Sequence, residues 1–159
     1  MDSLWTIRLS IPLAHPLPSA ANMREHWAVK AKRVKAQRNV VALVLRTQGA
    51  AWLGHARRIL GNERMRVACG FVRVAQRQLD DDNLAHAFKG MRDEVAKTVG
   101  IDDGSPRWTW EYHQRKGPNG VEVWLEVVAP DASGRPLAAP PGVTRAATRA
   151  RSHGGGMMD

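Results

Sequence analysis

Apolar and polar residues alternate at the start of the chain. Trp5, Ile7, Leu9 and Ile11 fall on one side of residues 4 to 12, and mostly polar residues fall between them. This period of two predicts a half-buried β-strand, because successive side chains of a strand point to opposite faces. Prolines from Pro12 onward end the strand.

The apolar spacing changes to three and four residues between about Met23 and Thr47. The apolar positions on this spacing are Trp27, Ala31, Val34, Val41 and Leu45. The pattern predicts an amphipathic helix with a basic outer face. Lys30, Lys32 and Arg33 of that face are candidate contacts to a polyanion, and the alternative is an ordinary solvated helix surface.

The rest of the pattern predicts one further helix and three further strands. Residues 49 to 64 look irregular, and residues 64 to 75 alternate and are rich in β-branched side chains, which favours a strand. A helix follows an acidic run. Residues 107 to 128 resemble a β-hairpin around the turn sequence GPNG, with Trp108 and Trp110 in the core or a dimer interface. The order β-α-β-α-β-β predicts an α/β (α+β) domain, a small mixed sheet with helices packed on it.

The final thirty residues differ in composition from the rest of the chain. Residues 130 to 159 are rich in Pro, Gly, Ala and Arg and have almost no large apolar side chains. Such a segment cannot bury enough surface to fold. We therefore expect one folded domain over residues 1 to 129 and a disordered basic tail over residues 130 to 159.

Charge and cysteine content narrow the function classes. The formal net charge is +9 and the isoelectric point is near 10.8, which suits a polyanionic partner such as nucleic acid. Cys69 is the single cysteine, so disulfide frameworks and cysteine-rich zinc sites are excluded and a cytoplasmic location is expected. No apolar run approaches the ~20 residues of a membrane span, so no membrane partner is expected.

Three consecutive aspartates, Asp80, Asp81 and Asp82, precede Asn83 and the second predicted helix. We call them the acidic run. One interpretation is helix capping and a favourable interaction with the helix dipole. The other is a metal site: Asp80 and Asp82 converge if the backbone is extended, and a third carboxylate arrives from the IDD sequence at residues 101 to 103. Such an oxygen-rich site suits Mg²⁺, with Mn²⁺ as the alternative ion.

The helix after the acidic run has two distinct faces. Its core-facing residues are predicted to be Leu84, Phe88, Met91 and Val95. His86, Lys89 and Asp93 form a polar stripe on the opposite side, below Asp82. A straight helix to Val99 would be about 25 Å long and would keep Asp103 from Asp82. Either the helix ends near residue 95, which we favour, or the third carboxylate comes from elsewhere, such as a partner subunit.

Residues 79 to 106, LDDDNLAHAFKGMRDEVAKTVGIDDGSP, resemble the signature of the RusA family of Holliday junction resolvases. The shared features are Asp-x-Asp-Asn, a following helix with a Lys and an Asp, and a paired Asp-Asp before a strand. Residues 16 to 27, PLPSAANMREHW, are similar to the Pro-rich segment near the start of the family. The resemblance implies a homodimeric, Mg²⁺-dependent crossover junction endodeoxyribonuclease of DNA recombination and repair, which cuts branched DNA in two symmetric strands.

The resemblance also implies roles for particular residues. Asp80, Asp82 and Asp103 would bind the metal, with Asp102 as the alternative third ligand and Asn83 completing the motif. A one-turn insertion assigns the helix lysine to Lys89 and the helix acid to Asp93. His86, which lies one turn after the Asp-Asn pair, is the alternative to Lys89. Some members of the family carry an arginine-rich run just before the motif, which would bind the DNA. In this sequence the run is reduced to Arg73 and Arg77.

Two other functions are compatible with the same pattern. The first is a non-catalytic, basic nucleic-acid-binding accessory protein, in which the acidic run only caps a helix. The second keeps nuclease chemistry but acts on flaps or replication forks. A Gly-rich phosphate loop, a Ser-His-Asp pattern and a zinc signature are absent from the sequence.

Overall fold

The computed structural model describes residues 6–13, 17–18, 24, 26–129 and 144–145. Their elements, in chain order, are β1 (Thr6–Pro12), α1 (Trp27–Thr47), α2 (Ala50–Leu60), β2 (Arg66–Val74), α3 (Asp81–Ala87), α4 (Lys89–Val99), β3 (Trp108–Arg115), β4 (Gly120–Val128) and β5 (Thr144–Arg145). The predicted α/β (α+β) class and the mixed sheet are confirmed. No helix within these residues is both long and apolar enough to cross a membrane.

The strands form one sheet in the order β1-β4-β2-β3-β5. β2 pairs with β3 in parallel, and the other neighbouring pairs are antiparallel. The predicted β3-β4 hairpin is therefore wrong, because β2 lies between these two strands. All of β2 after Arg66 is buried, and a strand that is apolar on both faces is best placed in the middle of a sheet.

The helices pack on one face of the sheet. Residues buried between the helices and the sheet include Val41, Leu45, Leu53, Phe71, Leu84, Phe88, Met91, Val95 and Leu125. The prediction that Leu84, Phe88, Met91 and Val95 face the core is confirmed, since each is 0% exposed. Trp108 is buried and stacks on Trp110 with ring centroids 4.2 Å apart, so this pair contributes to the core within the chain.

Residues 50 to 60, expected to be irregular, form helix α2. The signal was present in the sequence, because Trp52, Leu53, Ala56 and Leu60 have helical spacing and are all buried. This apolar stripe faces the core, while Arg57 and Arg58 of the last turn are exposed. The expectation of an irregular segment is therefore wrong.

The helix after the acidic run is not a single straight rod. It is interrupted at Phe88, which ends α3 and precedes α4 and has φ −91° and ψ −2°. Helix α4 then continues to Val99. Gly100 then ends α4 in the left-handed conformation, with φ +91°, which glycine adopts without a steric penalty. The expected end near residue 95 is wrong, because Val99 continues the buried face of Val95.

Three further expectations concern the ends of the chain. Helix α1 begins at Trp27, after His26 as N-cap, and the expected start at Met23 lies outside the described residues. Residues 4 and 5 of the predicted first strand also lie outside them. Within the segment expected to be a disordered tail, Thr144 and Arg145 pair with Gln114 and His113, and the rest lies outside the described residues.

Candidate metal and nucleic-acid site

The acidic run lies at the start of α3. Asp80 is the N-cap residue, with φ −68° and ψ 158°, and Asp81 and Asp82 belong to the first helical turn. The predicted convergence of Asp80 and Asp82 required extended backbone, whereas helical side chains are about 100° apart per residue. The side chain of Asp80 instead accepts a hydrogen bond from the Asn83 side-chain amide, three residues later. All three aspartates are exposed.

A side-chain clamp holds the chain that enters α3. The Gln114 side chain accepts a hydrogen bond from Leu79 N at 2.9 Å and donates one to Leu79 O at 2.6 Å. These two bonds fix the backbone of Leu79 at the Gln114 side chain, near the end of β3. The acidic run therefore starts from a defined position at this end of the strand. No sequence pattern pointed to Gln114.

The third predicted metal ligand has a cationic partner. Asp103 Oδ2 lies 2.8 Å from Nη2 of Arg92, and the Asp103 backbone oxygen accepts a hydrogen bond from Trp110 Nε1 at 3.2 Å. The Arg92 guanidinium lies 5.7 Å from the centroid of the Trp110 ring and also bonds to the side chain of Tyr112. Burial alone would lower the pKa of Arg92, yet its interactions with Tyr112 and Asp103 leave that pKa raised. Arg92 therefore remains positively charged.

The acidic run and Asp103 occupy different positions along β3. Asp103 contacts Trp110, and Leu79 contacts Gln114, four residues further along the strand. At about 3.3 Å per residue these anchor points are about 13 Å apart. Among the described residues, no three His, Cys, Asp or Glu side chains are grouped closely enough to hold a metal ion. The alternative ligand, Asp102, is exposed, and its carboxylate accepts from Gly104 N at 3.0 Å.

A groove of about 310 Å³ lies between α1 and the α3-α4 pair. We call it the cationic groove. Helix α1 contributes Lys30, Arg33, Val34 and Arg38, and the facing helices contribute His86, Lys89, Gly90 and Asp93. The predicted polar stripe below Asp82 therefore lines this groove. Asp93 forms an ion pair with Arg38, with 2.9 Å between Oδ2 and Nη2.

The predicted nucleic-acid contacts fall into three groups. Lys30 and Arg33 line the cationic groove, whereas Lys32 is exposed on α1 away from the lining. Arg77 is exposed. Arg73 is only 4% exposed, and its guanidinium donates to Leu17 O at 3.0 Å and to Arg77 O at 2.6 Å. These bonds fix the loop after β2, so Arg73 is not available to contact nucleic acid as predicted.

Comparison with known proteins adds one relative. An uncharacterized protein of Xylella fastidiosa (strain Temecula1 / ATCC 700964) is 34% identical over 94 residues, which cover 57% of this chain and 59% of that protein. The chain thus spans less than two thirds of the length of this curated relative. No family model and no solved structure matches the chain.

Proposed function

We propose that this protein is a metal-dependent endonuclease that resolves branched DNA, with four-way junctions as the preferred substrate. The observation that carries the proposal is the continuity of one surface. Three exposed carboxylates lie at the start of helix α3. One turn after Asp82, on the same helix, His86 lines the cationic groove. Phosphodiester hydrolysis needs this combination, in which acidic oxygens bind a cation while basic groups hold the anionic backbone.

The acidic run fits a hard divalent cation by its chemistry. Within the described part of the chain, no ion pair engages Asp80, Asp81 or Asp82. Neighbouring like charges repel unless a cation offsets them, and carboxylate oxygens are the ligands that Mg²⁺ and Mn²⁺ prefer. Asp80 and Asp82 would have to turn towards each other to hold the ion, because α3 does not give them the extended backbone on which they converge; the bound ion would supply an activated water and charge neutralisation at the phosphate. Asp103 could join them only after leaving Arg92.

Lys89 is the residue that we assign to the scissile phosphate. It is exposed on the first turn of α4 and lines the groove three residues after His86. An ammonium at this position would neutralise phosphate charge without competing for the metal. His86 is the alternative, because it lies on the same stripe one turn closer to Asp82.

The proposal includes a homodimer in the cytoplasm. Val29, Val40 and Leu43 are 56%, 36% and 62% exposed, and their spacing places them on one side of α1, away from the core. A second copy would remove this apolar surface from water. The cytoplasmic setting is favoured by Cys69, a buried free thiol whose pKa is raised by burial.

Cleavage of a synthetic four-way junction tests the proposal. With Mg²⁺ or Mn²⁺ we expect paired nicks, and the Asp82→Asn variant should cut at least about 100-fold more slowly. The matched control is Glu63→Gln, a carboxylate-to-amide change at an exposed turn far from the acidic run in the sequence. An intact junction under every metal, together with binding that survives EDTA, would favour the accessory protein instead. Flaps, forks and linear duplexes in the same panel identify the preferred branch.

A further inference from the structure

Helix α1 extends beyond the hydrophobic core at its N-terminal end. Val41 and Leu45, in its second half, are 1% exposed, whereas Trp27 on the same stripe is 75% exposed. The apolar stripe predicted for α1 is therefore buried at Val41 and Leu45 and exposed at Trp27. The apolar stripe continues along the whole of α1 in the sequence. The part of the domain that covers this stripe, formed by α4 and the sheet, does not extend over the first turns of α1. A large aromatic ring is left facing water.

The cationic groove begins where this exposed end of α1 meets the facing helices. Gly90 makes the close approach: a Cβ atom there would lie 3.0 Å from Val34 Cγ1. The Arg38–Asp93 ion pair joins the same two helices one turn further along. Because both contacts advance in the same chain direction, α1 and α4 are parallel. Lys30 lines the end of the groove nearest the start of α1, and Trp27 lies one helical turn before Lys30.

The charge of the groove is unbalanced. Its lining contains four cations, Lys30, Arg33, Arg38 and Lys89, and a single carboxylate, Asp93, which Arg38 already pairs. Between the basic walls lie small apolar groups, Val34 and Ala87. This lining suits a ligand that is anionic along its edges and less polar between them, as a nucleotide chain is.

The width of the groove favours one strand over two. The two helices touch at Gly90 and Val34, so the groove of about 310 Å³ is a narrow surface furrow on the scale of a single nucleotide chain and not of a duplex. An exposed indole at the open end would stack on an unpaired base, a contact that every base can make. In a paired duplex arm the base faces are already stacked on one another and are not accessible to Trp27.

We propose that the cationic groove binds one unpaired strand of nucleic acid, with its phosphates on Lys30, Arg33 and Lys89 and a base stacked on Trp27. This inference rests on the proposed function and specifies which part of a branched substrate the groove holds. Strand binding would position the branch point over the acidic run, because Asp82 lies one turn before His86 on the same helix.

Fluorescence anisotropy of a labelled oligothymidine in EDTA tests the inference without any cleavage. Trp27→Ala should weaken binding of the single strand at least about fivefold and leave a blunt duplex within about twofold. Lys30→Ala and Lys89→Ala should each weaken it and each reduce the salt slope by about 0.7. Lys97→Ala, at an exposed position outside the groove, is the matched control.

Several outcomes would overturn the inference. One is no oligothymidine binding by the wild-type protein, and another is an equal loss for duplex and single strand in Trp27→Ala. Displacement of the oligonucleotide by inorganic phosphate at low millimolar concentration would indicate a site for a free anion. Because the assay contains no metal, strand binding without junction cleavage would refute the proposed function alone. Cleavage that is unaffected by Trp27→Ala and Lys30→Ala would refute the strand site alone.

Discussion

Arg92 and Asp103 join helix α4 to the loop before β3 through an ion pair of 2.8 Å between Nη2 and Oδ2. The pair occupies a carboxylate that the RusA resemblance assigns to metal binding. Their side chains are 30% and 36% exposed, so the pair contributes at most about 1 kcal/mol to stability. Its removal should therefore test metal binding without unfolding the protein.

The Arg92→Gln variant is expected to bind Mn²⁺ about tenfold more tightly than the wild type if the loop that carries Asp103, once released from Arg92, closes the distance of about 13 Å to the acidic run. Isothermal titration calorimetry measures the affinity. The control is Arg115→Gln, which breaks a similar surface ion pair with Glu122. An unchanged Mn²⁺ affinity in Arg92→Gln would exclude Asp103 and leave Asp102 as the candidate.

Lys89 and His86 can be separated by their effects on cleavage. Lys89→Met keeps the aliphatic stem but removes the charge, and it should slow junction cutting by on the order of 100-fold. His86→Gln should stay within about threefold of the wild type. Single-turnover rates with saturating protein give the comparison. The opposite ranking would assign the helix-lysine role to His86.

Leu43→Asp is expected to convert the proposed dimer into a monomer. The substitution places a charge in the exposed apolar surface of α1, where Leu43 is 62% exposed, so the isolated chain loses little stability. Size-exclusion chromatography with light scattering reports the mass. Lys35→Asp introduces the same charge at an exposed position on another side of α1 and should remain dimeric. A wild-type protein that is monomeric at high micromolar concentration contradicts the dimer.

The burial of the Glu126 carboxyl predicts that the free energy of unfolding depends on pH. It is 8% exposed on the sheet face opposite the helices, and its Oε2 has no hydrogen-bond partner among the described residues. Burial raises the pKa of Glu126 above its ordinary value. The folded state therefore binds this proton more tightly than the unfolded state, and that stabilisation is lost as pH rises through the folded pKa.

The Glu126→Gln variant should consequently be about 1 kcal/mol more stable than the wild type at pH 7 and gain little near pH 4. Urea unfolding at the two pH values measures the difference. Glu122→Gln, on the same face but half-buried and paired with Arg115, should show no such gain. A Glu126→Gln advantage that is the same at both pH values would rule out the titration of this carboxyl as its cause.

Gly70 is required by the indole of Trp124. A Cβ atom at position 70 would overlap the Trp124 indole at Nε1, and both residues are in the centre of the sheet. Gly70→Ala should therefore cost about 1–3 kcal/mol in urea unfolding. Adding Trp124→Leu should recover part of that loss. Gly54→Ala, where nothing lies within 4 Å of the new methyl group, should be neutral or stabilising.

Local periodicity in the sequence predicted most of the elements and part of the site, although helix α2 was missed. The spacing of Leu84, Phe88, Met91 and Val95 predicted the buried helix face, and the same spacing placed His86, Lys89 and Asp93 together on the polar side. These predictions succeed because the period of a helix or strand depends on backbone geometry alone. The run of three aspartates is likewise visible without any fold.

Partners distant in the sequence were decided only by the tertiary structure. No local signal in the sequence predicts four of the features described above. They are the insertion of β2 between β3 and β4, the Arg92–Asp103 pair, the Gln114 clamp on Leu79 and the exposure of Trp27. Strand order and helix coverage follow from which apolar surfaces bury one another most completely across the whole domain. An amphipathic stripe shows which side of a helix can face the core, but where that core ends is set by the other elements that pack against it.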